Sequence, residues 1–265
     1  MTLNIFFPYV KGMVFAESRT LLAPSDPPPV EKINAESASP IFLLCEHAGK
    51  AIPAALGDLG VTPDVIESHR GWDIGAEDLA RRLADLLGAP LVIQRYSRLV
   101  IDCNRPHDSA RSVPLKSDGV VIPSNQSASA ADRFARVEEI FMPMNAAISR
   151  LMEGRKAAFS VHSFTPNLGG QARPWHAGFL SRADQASADA FVAHLSNIRP
   201  DLHCAVNQPY QIEADTDWFV PAHAEPRGVR HCLIEVRNDQ LGDDAGIAQW
   251  ADLLANAITA ILEPS

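Results

Sequence analysis

Short apolar runs that alternate with amphipathic, helix-forming segments are the feature that most constrains the fold of this chain. Runs at 41–45, 91–93, 157–161 and 232–236 have the length and composition of buried strands, and those at 99–102, 176–180 and 204–206 are also predicted strands. Helical periodicity covers 73–87, 131–152 (with a kink at Pro143), 183–198 and 245–262. This alternation predicts an α/β fold with one mixed, mostly parallel sheet and helices on both faces.

The chain divides by composition into an arm and a domain. Residues 1–39 are predicted to be an N-terminal Pro-rich arm, because the Pro-rich stretch 24–29 favours extended polyproline geometry over packed structure. Residues 40–265 are predicted to form a single catalytic α/β domain. The polar loop at 107–126 is long for a compact domain, and such loops are often functional.

Composition excludes several classes of function. A net charge of −9 argues against a nucleic-acid partner. The apolar stretches are shorter than a membrane span, and the first residues lack the pattern of a signal peptide. The four cysteines form no C-x-x-C pair, so we expect reduced thiols and a cytoplasmic protein. Both a monomer and an oligomer are compatible with this sequence.

Polar residues stand where predicted strands end, which in α/β sheets is where ligands bind: His47, Asp102, His162 and Glu235. Each of the residues considered for chemistry also has a structural interpretation. His47 would then be a loop histidine bonded to a backbone carbonyl. Asp73 would be a helix N-cap, and Glu235 would form a salt bridge to Arg237 or Arg230.

Two imidazoles, one carboxylate ligand and one spare carboxylate are the typical residues of a catalytic zinc site. His47, Asp73 and His162 are the predicted ligands, and Glu235 is the predicted base that takes a proton from water. Zn²⁺ is favoured over Mg²⁺ because harder ions prefer ligands that are all oxygen.

Four segments resemble the N-formylglutamate amidohydrolase family. They are CEHAG at 45–49, HRGWDIGA at 69–76, RLVIDCNRP at 98–106 and LIEVR at 233–237. The resemblance implies a three-layer α/β/α sandwich of the zinc-exopeptidase, phosphorylase/hydrolase-like kind. It also implies a zinc-dependent amidohydrolase that converts the small molecule N-formylglutamate to formate and glutamate.

A second likeness is to zinc N-acetylmuramoyl-alanine amidases, and it is the main reason for choosing Asp73 as the third ligand. In those enzymes an acidic ligand begins the helix after the first strand, a Ser-hydrophobic-His sequence ends a later strand, and a Glu follows. They use Glu where this chain has Asp, so Glu46, Glu77 and His69 stay open as alternatives to Asp73. The H-x-x-E ligand pair of carboxypeptidase-type enzymes is absent, because position 50 is Lys.

An acyl-glutamate carries two carboxylates, for which Arg is the preferred partner. The candidate substrate-binding residues are Arg105, Asn104, Arg98, Arg173, Asn207 and Tyr210. His176 is the candidate oxyanion partner. The alternatives are that each Arg is a solvated surface charge and that 207–210 is a plain turn. Two rival functions remain: a zinc amidase or peptidase for another N-acyl amino acid or peptide, and a non-catalytic ligand-binding domain on the same fold.

Overall fold

A computed structural model describes residues 20–263. The strands of this part of the chain are β1 (Val30–Ile33), β2 (Ile41–Cys45), β3 (Leu91–Gln94), β4 (Lys116–Ser117), β5 (Val120–Val121), β6 (Ala157–Phe164), β7 (Asn167–Leu168), β8 (Gln171–Ala172), β9 (Ala177–Leu180), β10 (Cys204–Val206) and β11 (Arg230–Arg237). The α-helices are α1 (Pro63–Glu67), α2 (Ala76–Leu87), α3 (Pro123–Gln126), α4 (Ala130–Arg136), α5 (Met142–Leu151), α6 (Gln185–Ile198) and α7 (Asp244–Leu262).

Within the described residues, seven strands form one sheet in the order β1-β3-β2-β6-β11-β9-β10. The four central strands β3, β2, β6 and β11 are parallel. Strand β9 runs antiparallel to β11, β10 is parallel to β9, and β1 is antiparallel to β3. The sheet is therefore mixed and mostly parallel, as predicted, and the carboxyl ends of its central strands lie along one edge.

Helices cover both faces of the sheet because each central strand is apolar on both sides. In β2, Leu43 and Cys45 face a core that contains side chains of α2, α6 and α7, whereas Phe42 and Leu44 face a second core that contains side chains of α5. The result is the expected three-layer α/β/α sandwich. Helix α7 is long and apolar enough to cross a bilayer, but it packs against α2 and α6 and buries Trp250, as a core helix does.

The segment 99–102 is not a strand, and that prediction was wrong. Its side chains are buried, but Ser97 Oγ accepts a hydrogen bond from the Leu99 backbone N–H and turns the chain. The backbone carbonyls of Leu99 and Val100 accept hydrogen bonds from the side chains of Asn125 and Arg136. These side chains replace a neighbouring strand as partners of the backbone.

The predicted helix at 131–152 is present with one irregularity. A π-helical turn, Val137–Phe141, joins α4 to α5, and Pro143 lies in the first turn of α5, where a missing N–H costs little. Within the predicted arm 1–39, residues 30–33 form the edge strand β1. Residues 1–19 of that arm lie outside the described part of the chain.

Gly178 in β9 allows the 207–211 segment to approach the sheet. It lies opposite Glu235 of β11, and a Cβ atom at position 178 would lie 1.6 Å from the Gln208 carbonyl oxygen. This clash is with backbone, so the segment would have to move as a whole to relieve it. Glycine is required here by close approach of two backbones.

We expect Gly178→Ala to lower the free energy of unfolding by about 1–3 kcal/mol, as overpacking in a core does. Gly242→Ala is the matched control, because its Cβ would have no neighbour nearer than the Asp239 carbonyl oxygen at 3.9 Å. Urea unfolding of the three proteins measures the difference. Equal stability of Gly178→Ala and the parent protein would contradict the assigned role of Gly178.

Candidate active site

Three adjacent parallel strands bring the predicted residues to one edge of the sheet. His47 follows β2 by two residues, His162 lies near the end of β6, and Glu235 lies near the end of β11. In the ladder, His162 and Glu235 are directly paired positions. The sheet therefore fixes the spacing of these side chains, although they are far apart in the sequence.

His47, Asp73 and His162 converge on one point. The His47 Nδ1 and His162 Nδ1 atoms are 3.2 Å apart, and Asp73 Oδ2 is 2.8 Å from His162 Nδ1 and 3.4 Å from His47 Nδ1. Tetrahedral ligands at about 2.0–2.1 Å from an ion are separated by about 3.3 Å. The side chains are buried, with residue exposures of 3%, 4% and 2%. This arrangement fits one metal ion held by two nitrogens and one oxygen.

A tight loop before α2 places Asp73. The Asp73 backbone N–H donates to the His47 carbonyl oxygen at 2.8 Å, which ties this loop to the end of β2. Gly71 passes so close to Ile66 that a Cβ would lie 2.1 Å from the Ile66 carbonyl oxygen. The N-cap of α2 is Gly75 and not Asp73, so the Asp73 carboxylate is available to face the two imidazoles.

The other three residues considered as ligands lie elsewhere. Glu77 forms ion pairs with Arg81 and Arg95, both at 2.7 Å. His69 is bonded to Asp118 at 3.1 Å. Glu46 contacts the opposite nitrogen of His162, away from His47. Asp73 is thus the carboxylate that reaches both Nδ1 atoms.

Each imidazole is oriented by a buried carboxylate on its far side. Asp102 Oδ1 lies 2.8 Å from His47 Nε2, and Glu46 Oε2 lies 3.1 Å from His162 Nε2 and accepts from Ser160. Burial alone would raise the pKa of both acids, but Arg98 and His47 hold the pKa of Asp102 well below its usual range, and His162 lowers that of Glu46. With the Nε2 protons donated to these ionised acids, the two Nδ1 lone pairs would face the centre when an ion is bound.

Glu235 lies beside this centre without an ion-pair partner among residues 20–263. Arg237 forms an ion pair with Asp239 at 2.8 Å, and within residues 20–263 neither Arg237 nor Arg230 pairs with Glu235, so the alternative of a salt bridge to either arginine is wrong. Glu235 is 6% exposed, and its Oε2 atom has no hydrogen-bond partner. Burial raises the pKa of Glu235 to about 7. A carboxyl group in this state is suited to exchange protons near neutral pH.

Two connected cavities open at this edge of the sheet. The inner chamber, of about 400 Å³, is lined by His47, His162 and Glu235, and the outer chamber, of about 650 Å³, is lined by Leu99, Lys116 and Phe164. Six residues line both chambers: Asp73, Arg98, Arg105, Arg111, Ser163 and Tyr210.

Four of the predicted substrate-binding residues line the inner chamber. Arg98 contacts Asp73 and Asp102, each at 3.1 Å, and Arg105 contacts Asp217 at 3.3 Å. The Asn104 Oδ1 atom accepts from the backbone N–H groups of Trp218 and Phe219, at 3.2 and 3.3 Å. Tyr210, the fourth, lies at the boundary between the chambers.

The other three predicted residues do not line either chamber. His176 Nδ1 accepts from the His203 backbone N–H at 2.9 Å, which places it over β10 and does not support an oxyanion role. Asn207 Oδ1 accepts from the Ser181 N–H at 2.9 Å and so has a structural contact. Arg173 donates a hydrogen bond to the Tyr210 hydroxyl at 2.8 Å, so it contacts a residue of the chamber wall and does not line the chamber itself.

Sequence reasoning also missed residues of the site. The sequence places Asp102 at the end of a predicted strand but assigns it no role, and it offers Glu46 only as an alternative ligand. Arg111 was not considered, although it lies in the 107–126 loop that was predicted to be functional, and it lines both chambers. A search for cations within that loop would have found it.

Comparison with known proteins identifies the family. The family model for N-formylglutamate amidohydrolase matches residues 39–241. The crystal structure of the gene product Atu2144 from Agrobacterium tumefaciens is 35% identical, with a TM-score of 0.86, and the match covers 92% of this chain and 100% of that one. An N-formylglutamate amidohydrolase from Ralstonia eutropha JMP134 shares the fold at 19% identity, with a TM-score of 0.64 over 88% and 97% of the two chains.

The search of curated proteins found no match. The family match spans most of the chain and contains every residue of the site described above, from Glu46 to Glu235. This chain therefore belongs to the N-formylglutamate amidohydrolase family, and it is an amidohydrolase.

Proposed function

We propose that the protein is a zinc-dependent hydrolase that removes the formyl group from N-formyl-L-glutamate, or a similar acyl group from another acidic amino acid. The observation that carries this proposal is the convergence of His47, Asp73 and His162 beside the unpaired carboxylate of Glu235. The family to which the chain belongs and the arginines that line the inner chamber support the choice of an acidic substrate.

Zinc is the ion that best fits the ligand atoms. Two imidazole nitrogens and one carboxylate oxygen, with room for a further ligand in the inner chamber, are the typical set for catalytic zinc. Calcium and magnesium prefer oxygen ligands alone. When bound, the ion would polarise the acyl carbonyl and lower the pKa of water beside it.

Glu235 is proposed to move the proton. Its carboxylate would accept a proton from the attacking water and then donate it to the amine nitrogen that leaves as the C–N bond breaks. The atoms balance, since the water supplies the hydroxyl of formate and the hydrogen of the amine. The site is buried, so little bulk water competes for this proton.

The substrate carboxylates would be bound by arginines at the wall of the inner chamber. Arg98 and Arg105 are partly compensated by Asp73, Asp102 and Asp217. Arg111 has no hydrogen bond or ion pair from its guanidinium to any residue in 20–263, so its charge is available to an anion.

A different N-acyl amino acid or a peptide is the second candidate substrate, and the size of the outer chamber favours it. A cytoplasmic location in amino-acid catabolism is proposed, and the four unpaired thiols are compatible with a reducing compartment.

We expect formate release from N-formyl-L-glutamate to depend on metal. Purified protein should contain about one zinc per chain by elemental analysis, because one set of three ligands converges within residues 20–263. A chelator should abolish activity, and added zinc should restore it. N-acetyl- and N-succinyl-glutamate, assayed for glutamate release, test the acyl specificity. Full activity in the metal-free protein would disprove the proposal.

We expect Glu235→Gln to retain zinc and to lower kcat about 10²–10⁴-fold, because it removes the proton acceptor. In the parent enzyme, kcat/KM should fall as the pH drops through the pKa of Glu235. That pKa is about 7 without an ion and lower beside a cation. Glu153→Gln, an exposed change at the opposite end of the sheet, is the control. Unchanged turnover in Glu235→Gln would place the base elsewhere.

We expect Asp102→Asn to weaken zinc binding about 10–100-fold, because the amide cannot hold the Nε2 proton of His47 as a carboxylate does. Competition with a fluorescent chelator measures the affinity, and the unfolding midpoint of the metal-free protein checks that folding is retained. Asp252→Asn, on the exposed side of α7, should bind zinc normally. If Asp102→Asn matches the parent protein, Asp102 does not orient His47.

A further inference from the structure

The outer chamber is larger than the proposed substrate requires. N-formylglutamate has about 12 non-hydrogen atoms and occupies at most about 360 Å³, if each atom takes the roughly 30 Å³ of a liquid water molecule. The inner chamber, at about 400 Å³, has room for all of it. The outer chamber adds about 650 Å³ that a single acyl amino acid does not fill.

The two chambers form one continuous site, because Asp73, Arg98 and Arg111 line both. A substrate whose scissile bond lies near Asp73 can therefore extend outward without leaving the protein surface. This continuity distinguishes the outer chamber from the groove between α2 and α7, which lies away from the catalytic residues.

Part of the wall of the outer chamber is apolar, and the charged groups on it that lack a partner are positive. Leu115, which is 47% exposed, and the partly buried Leu168 supply apolar surface, and the buried Leu99 and Phe164 lie behind it.

The three acidic groups on this wall all have basic partners: Asp73 and Asp102 contact Arg98, and Asp118 has two contacts of its own. Asp118 contacts Arg70 and His69, each at 3.1 Å. In contrast, Lys116 and Arg111 have no side-chain hydrogen bond or ion pair to any residue between 20 and 263. Both cations are carried by the 107–126 loop, and Lys116 begins the β4–β5 hairpin. The outer chamber thus presents two uncompensated cations beside apolar surface.

We propose that the outer chamber is a binding site for a second anionic segment of the substrate, joined to the reacting acyl amino acid by an apolar linker. This inference rests on the proposed function for the position of the scissile bond. An N-acyl acidic dipeptide has this chemistry: its linker methylenes contact Leu115 and Leu168, and its outer carboxylates contact Lys116 and Arg111. A substrate whose acyl group carries a carboxylate has the same chemistry, with the second anion on the acyl side of the scissile amide.

Binding of reaction products tests the proposal without turnover. Isothermal titration calorimetry compares Glu-Glu with Glu-Gln-amide, which has the same length but an uncharged extension. We expect Glu-Glu to bind about ten-fold more tightly, since an exposed ion pair contributes up to about five-fold and two cations are available. A second comparison, succinate against succinamate, which keeps one carboxylate and has an uncharged amide in place of the other, tests an anion on the acyl side.

Lys116→Gln is expected to reduce the preference for the charged ligand about three- to five-fold. Lys156→Gln is the matched control, because Lys156 is exposed at the opposite end of β6, and it should keep the full preference. Lys116 is solvent-exposed, so its replacement should leave folding intact. Equal binding of the two ligands in both comparisons, or an unchanged preference in Lys116→Gln, would overturn the proposal.

The kinetic arm separates the two proposals. N-formyl-Glu-Glu should have a higher kcat/KM than N-formyl-Glu, and Lys116→Gln should reduce this advantage about three- to five-fold. Discrimination in binding without any formate release would refute the proposed reaction and leave the anionic site standing. Formate release from N-formyl-Glu without discrimination would refute the outer site alone.

Discussion

The parallel pairing of β2, β6 and β11 is the constraint on which the site depends. Because the three strands run in one direction, their carboxyl ends deliver His47, His162 and Glu235 to the same edge. The direct pairing of His162 with Glu235 sets the distance between a proposed ligand and the proposed base through backbone hydrogen bonds. Loops then have to supply one carboxylate, Asp73, whose position is fixed by its backbone bond to His47.

Electrostatic balance explains why so many ionisable groups can be buried at this edge. Asp73, Asp102 and Glu46 would each be costly to bury alone, but each contacts an imidazole, and Arg98 contacts two of them. Glu235 is the exception, since it has no such contact, and burial raises its pKa to about 7. The carboxylates with a cationic or imidazole partner hold the imidazoles in place, whereas the carboxylate without such a partner is the group proposed to transfer protons.

The sequence was sufficient to predict the sheet class and the residues at strand ends, because buried parallel strands have a clear apolar signal and end at the functional edge. It was not sufficient for residues whose position depends on strand neighbours. His176 precedes β9, which pairs antiparallel with β11, so it lies beside Arg237 and His203 and not in the inner chamber. The apolar residues at 99–102 resembled a strand, because burial gives the same signal whether the backbone is paired by strands or by side chains such as Asn125 and Arg136.

Counting arginines near the site also gives a misleading view of where an anion binds. Arg98 and Arg105 are predicted substrate-binding residues on either side of the segment 99–102, and both line the chambers, but their guanidinium groups contact Asp73, Asp102 and Asp217. Much of their charge is therefore used in holding the site together. Arg111 and Lys116 lie on a loop that no periodicity distinguishes, and they have no acidic partner among the residues described. Whether a cation has an acidic partner depends on three-dimensional contacts. The cations that are free to bind a ligand can therefore be identified only after each acid has been assigned its partner in the structure.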